Sequence, residues 1–196
     1  AINEGLIRLY TRFILNEKDV VISLRDHITA YRLNSLYSET LYPQDGVEIP
    51  YILDLPGEVF VNDVIKVLAV YDNDGCELPL NNSTNCKSVF TPKFDTVQVP
   101  EPQTGKLMNV VYQAKHILLS IDEPLEEITL PDTLYGALEA YVAHLLFADI
   151  NSDDSKIRSD KQLIRYEQIC SEVVATDITS STTIQSNVKF HKRGWV

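Results

Sequence analysis

The sequence predicts an α+β protein. The expected architecture is a small helical bundle, formed by an N-terminal helix and a C-terminal helical hairpin, with an inserted antiparallel β-rich region and an extended C-terminal arm. Three observations carry that expectation. Apolar residues recur at helical spacing near both ends of the chain, and the central hundred residues switch to strand-like alternation rich in β-branched side chains. Seven of the nine prolines (43, 50, 56, 79, 92, 100 and 102) fall in that central part, which suits short strands joined by irregular loops. By this reading residues 1–18 and 122–174 form the bundle, 19–121 the β-rich insert and 175–196 the arm.

In the opening stretch INEGLIRLYTRFIL, Ile2, Leu6, Leu9 (or Tyr10) and Phe13 share one face, with Glu4, Arg8 and Arg12 elsewhere. That pattern is a short amphipathic helix without a capping residue at its start. KDVVISL and HITAYRLN then read as strands. VIKVLAVYDNDGCELPL reads as a hairpin around Asn73-Asp74-Gly75, whose residue types tolerate positive φ. DTVQVP alternates, and LMNVVYQAKHILLS is a further β-rich run. No helical crossovers separate these strands, so the sheet should be antiparallel.

LPDTLYGALEAYVAHLLFADI returns to helical spacing, with Leu134, Leu138, Tyr141 (with Val142) and Leu145 on one stripe and Asp132 in the favourable first turn. NSDD breaks the pattern and caps a second helix, whose stripe runs through Leu163, Tyr166, Cys170 and Val173 or Val174. The short connector makes the two helices antiparallel neighbours. The closing segment, Ala175 to Val196, shows neither period, and its stretch TDITSSTTIQS, β-branched and polar with no Gly or Pro, favours an extended arm.

Charge and cysteine content restrict the function classes. A net charge of −11 disfavours wrapping nucleic acid and docking on anionic lipid. Cys76, Cys86 and Cys170 are an odd set with no C-x-x-C spacing, and no signal peptide is apparent, so free thiols in a reducing compartment are expected. No apolar run reaches membrane-spanning length.

No catalytic constellation emerges, and an enzyme is not expected; no cofactor or metal is implied. The four histidines (27, 116, 144 and 191) are scattered. His144, on an apolar helix, reads as a hydrogen-bonded interfacial residue, and His27 and His116 fall in strand-like runs. No phosphate-binding glycine pattern or nucleophile elbow is present. Glu123, Glu126 and Glu127 read as a solvated loop, and YDNDG reads as a turn because the other ligands of a calcium loop are missing.

The order of elements is distinctive. A helix containing LYTRF precedes a β region holding DVIKVLAVYDNDGCELPLN and SVFTPKFDTVQVP, and the helix LPDTLYGALEAYVAHLLFA follows. This succession, from Ile2 to Val174, resembles the head-to-tail adaptor (connector) proteins of tailed bacteriophages, particularly the short-tailed ones. These are packing and turn signatures, and such proteins usually carry more chain before the LYTRF helix. The resemblance implies a structural virion protein of the neck or tail, assembled in the host cytoplasm. It would be a subunit of a homo-oligomeric ring, commonly of twelve copies, that docks beneath the portal protein. Such a ring extends the channel through which DNA passes without specific binding, and it receives a downstream tail protein. It also implies that the C-terminal segment reaches out to grip the portal.

The closing strip suits that role on its own chemistry. Ile184, Phe190 and Trp195 are anchors able to offset the entropy of ordering an arm, and Lys189, Lys192 and Arg193 complement an acidic partner. With the three cations of the last nine residues set aside, 28 acids face 14 basic residues, a charge of −14. The hairpin tip, Asn73, Asp74, Gly75 and Cys76, is the second expected contact surface. Two other readings compete: a tail-tube or head-completion protein that meets no portal, and a soluble module binding a small ligand or carbohydrate.

Overall fold

The computed structural model describes residues 1–40, 50–54, 59–120, 128–150 and 152–176. In chain order they form α1 (Ile2–Arg12), β1 (Glu17–Ser23), β2 (Ala30–Arg32), β3 (Ile52–Leu53), β4 (Val64–Tyr71), β5 (Phe90–Lys93), β6 (Thr96–Gln98), β7 (Leu107–Ala114), α2 (Asp132–Ala148) and α3 (Asp153–Ala175). Three helices and two antiparallel sheets among the described residues make the class α+β, as expected. Among the described residues the chain divides into two units: residues 1–16 with 115–176 hold the three α-helices, and residues 17–114 hold every strand together with a short 3-10 turn at Ser35–Tyr37.

In the strand-bearing unit the larger sheet has the order β3-β1-β7-β4 and the smaller one β2-β6-β5, with every strand pair antiparallel. Strand β7 is central because its alternation suits a two-sided position. Met108, Val110 and Tyr112 are buried on one face, while Asn109 and Val111 are only half-buried on the other. Its partner β1 contributes Val20 and Ile22 to the same core, in register Val20 with Val110 and Ile22 with Met108. Pro92 lies in β5, which is an edge strand, where a missing N–H costs no ladder bond.

Three expectations need correction here. The hairpin after β4 is short. Its return arm is a single bridge, Tyr71 with Glu77, extended by the Leu78 N–H donating to the Val70 carbonyl at 2.8 Å. Pro79 follows at once and cannot donate to a ladder, so β4 finds its long partner in β7 instead. Nor do the two histidines lie in strands: His27 sits in a turn after β1, and His116 lies just past the end of β7. A run read from residue types alone overshoots wherever the chain must turn to reach its partner.

In the helix-bearing unit α1 packs on α2 and α2 packs on α3. Leu6, Leu9, Tyr10 and Phe13 are buried, but Ile2 stands 47% exposed, so the stripe begins one turn later than its spacing implied. Gly5 takes the place of a side chain there. On α2 the buried residues are Leu134, Ala137, Leu138, Ala140 and Tyr141, with Val142 and Leu145 half-buried. On α3 they are Ser155, Ser159, Tyr166, Cys170 and Val173, while Val174 faces outward. The contacts pair His144 with Ser159, Tyr141 with Tyr166 and Gly136 with Ile169, so the two helices run antiparallel. The Ser152 side chain caps α3 by accepting from the Ser155 N–H, with Asp153 and Asp154 in the first turn, which is the break-and-cap that NSDD predicts.

Candidate interaction surfaces

The hairpin tip is built by one carboxylate. Asp72 Oδ1 accepts from the N–H of Asp74 at 3.0 Å and of Cys76 at 2.8 Å, while the Asp72 and Cys76 backbones close the loop at 2.9 Å. Gly75 sits at φ +74°, a conformation that glycine adopts without strain. Asn73, Asp74 and Cys76 are therefore presented to solvent on a rigid turn. Asp72, Asn73 and Asp74 of this turn form one wall of a cleft of about 400 Å³ in the strand-bearing unit, with Lys87, Glu101 and Lys106 also on its walls. Its charges are mixed in sign, and Cys86 at its edge is a free, exposed thiol.

A second cleft, of about 300 Å³, lies in the helix-bearing unit beside Tyr10 and His116, whose rings meet edge to face at 5.2 Å. The Tyr10 hydroxyl donates to the Thr129 carbonyl, and burial pushes its phenol pKa up. Ile117 and Leu118 beside it are 76% and 62% exposed.

Between the helices, the seam is polar and aromatic. Arg12 Nη1 lies 2.7 Å from Glu167 Oε2, and the Arg8 guanidinium stands 5.0 Å above the Tyr141 ring and 5.5 Å above that of Tyr166. Tyr141 donates to Glu4 Oε1 at 3.2 Å. Residues that sequence spacing places off the apolar stripe of α1 thus cover the aromatic end of the α2–α3 pair. His144 is a hydrogen-bonded residue between α2 and α3, as expected. Its Nδ1 lies 2.8 Å from Ser159 Oγ and 3.1 Å from the Ser159 carbonyl, and Ser159 Oγ lies 3.0 Å from the His144 carbonyl. A proton on Nδ1 and a hydroxyl turned to the His144 carbonyl satisfy all three contacts. Cys170, fully buried on the same seam, has its thiol pKa pushed up by burial, which makes it a packing residue rather than a nucleophile.

The outward helix faces are less polar than a solvated surface requires. Among the described residues 16 large apolar side chains stand exposed, and 11 of them belong to the helix-bearing unit, which has the fewer described residues. Leu146 and Ile150 on and just past α2 and Ile157 and Ile164 on α3 are over half exposed. Sequence reasoning followed the inward stripes of these helices and missed the outward ones, although Leu146, Ile157 and Ile164 were legible as apolar residues off the stripe.

Of the expected contact residues, the structure places Asn73, Asp74, Gly75 and Cys76 together on the exposed turn. The arm residues Ile184, Lys189, Phe190, Lys192, Arg193 and Trp195, and the acidic loop with Glu123, Glu126 and Glu127, lie outside the described residues. Among the described residues no group of three or more His, Cys, Asp or Glu side chains is placed to hold a metal ion. No described helix is long and apolar enough to cross a membrane.

These features define the chain as an α+β protein whose distinctive surfaces are a rigid turn and outward apolar helix faces. No protein-family model matches it, and no curated protein matches it in sequence.

Proposed function

We propose that this chain is a structural subunit of a ring that joins the portal of a bacteriophage head to the tail and extends the DNA channel. In this reading the three helices are a bundle, the strands are an insert into it, and residues 175–196 are an arm that docks on the portal. Its partners are the portal protein, neighbouring copies of itself and a downstream tail protein, and its place is the neck of the virion. The observation that carries the reading is the concentration of outward apolar side chains on the helix-bearing unit. A chain with charge −11 gains solubility from its acids, so apolar faces kept in the open are best explained by partners that cover them. The order of one helix, seven strands and two helices supports the resemblance drawn from the sequence.

The test is deletion of residues 188–196. The truncated chain should keep its far-UV dichroism and melting point but lose stable docking to the portal ring, measured by co-sedimentation. Unchanged docking overturns the arm's role. A second reading, a ligand-binding module, draws on the cleft of about 400 Å³ beside the hairpin tip. Saturable binding of a small ligand by a chain that never assembles would favour it.

A further inference from the structure

Helix α2 is apolar almost all round. Of its 17 residues only Asp132, Glu139 and His144 are of acidic or basic type. Its inward side takes Leu134, Leu138 and Tyr141, yet its opposite side also repeats at helical spacing through Tyr135, Glu139, Leu146 and Ile150. Tyr135 is 38%, Leu146 57% and Ile150 51% exposed. A helix that is apolar on every side is ordinarily covered on every side. Here one side is exposed among the described residues.

Helix α3 supplies the complement. Directly opposite its seam stand Ile157 and Ile164, two turns apart, with Lys161 between them and Arg165 alongside. Lys156 and Arg158 are engaged with Asp153 and Asp154 of the same helix, at 3.5 and 2.9 Å. Among the described residues Lys161 and Arg165 have no carboxylate partner, and Glu139 has no cationic one. One face is therefore apolar with an unpaired acid, and the other is apolar with two unpaired cations, Lys161 and Arg165, beside one unpaired acid, Asp160.

We infer that the outward face of α2 in one copy of this chain docks on the outward face of α3 in the next copy. The inference rests on the ring reading above and deepens it by naming the contact. Because α2 and α3 pack against each other through His144–Ser159 and Tyr141–Tyr166, their outward faces look away from one another. The two complementary faces cannot meet within one chain. They meet between copies, head to tail, and such a contact repeats until it closes a ring or continues as a filament. That both halves of a complementary pair lie on one chain is what selects a second copy over a foreign partner.

The experiment uses the full chain and reads self-association by sedimentation velocity up to about millimolar concentration. Glu139→Lys and Lys161→Glu should each weaken association roughly tenfold, and the effect should shrink with added salt. The double variant, and an equimolar mixture of the two single variants, should recover most of the loss. All these side chains are exposed, so far-UV dichroism should be unchanged; if a reversal perturbs it, Glu139→Ala and Lys161→Ala carry the test. A chain that stays monomeric throughout the range, a Lys161→Glu variant without effect, or a double variant no better than the singles overturns the contact. Rings that form with a portal partner and ignore these variants would leave the ring reading standing while this contact falls. A chain that assembles neither alone nor with a portal removes both.

Discussion

Gly5 lies against Leu138: a β-carbon built on Gly5 would stand 2.7 Å from Leu138 Cδ1 and 3.3 Å from Tyr141 Cδ1. Alanine at this position would raise helix propensity by up to about 1 kcal/mol. It would also overpack a contact between two buried elements, at a cost of roughly 1–3 kcal/mol, because Leu138 is itself buried and must move. Gly5→Ala should therefore lower stability by about 1 kcal/mol, and Gly5→Leu by more. Gly136 is the control: a β-carbon there would meet Ile169 Cδ1 at an ordinary 3.5 Å. Gly136→Ala should be neutral or stabilise by up to about 1 kcal/mol. Urea unfolding of the three variants decides it, and a stabilised Gly5→Ala would show that α1 does not approach α2 this closely.

Ser159 is 4% exposed, and among the described residues its hydroxyl bonds to His144. Ser159→Ala removes the hydroxyl and leaves the His144 ring with the carbonyl of residue 159 as its remaining partner. The expected loss is about 1–2 kcal/mol. A His144→Ala variant should cost no less, and the double variant should cost less than the sum of the two, because the same bonds are lost in each. Full additivity in the denaturant midpoints would mean that the two side chains do not interact.

Asp54 holds three donors. Its Oδ2 accepts from the Ser38 hydroxyl and, at 3.0 Å, from the Thr40 N–H, and its Oδ1 accepts from the Phe60 N–H at 2.9 Å. Burial pushes this carboxyl pKa up, but the three hydrogen bonds outweigh burial and hold it below the ordinary value. Asp95 follows the same pattern: burial is outweighed by Arg32 Nε at 3.0 Å and by the Thr96 hydroxyl. A carboxyl whose folded pKa is depressed contributes its full stability above its unfolded pKa, near about 3.9 for Asp, and loses it as pH falls through the lower folded value. The chain should thus lose stability on acidification from about pH 5 to about pH 2. Asp54→Asn should destabilise by roughly 2 kcal/mol at neutral pH and flatten that acid limb. An unaltered limb would place the titration elsewhere.

Local order was readable from local residues. The Asn73-Asp74-Gly75 turn, the Ser152 cap and the inward stripes of α2 and α3 each depend on side chains a few positions apart, and each is found where its residues suggest. The outward faces were harder to read. Leu146, Ile157 and Ile164 are single apolar residues on helices already explained by one stripe, and only their exposure in the folded unit marks them as unpartnered. The hairpin overshot for a related reason, since Pro79 ended a run that residue types alone would have extended.

What the sequence by itself determined is the class, the order of elements and the chemistry of turns and caps, because periodicity and capping act within a turn or two of the chain. Tertiary structure alone decided that β7 lies between β1 and β4, that Gly5 rather than Ile2 meets α2, and that Arg12 reaches Glu167. Those outcomes join residues from about forty to more than a hundred positions apart. Such pairings are chosen by the burial of the whole core, a quantity that no short stretch of chain contains.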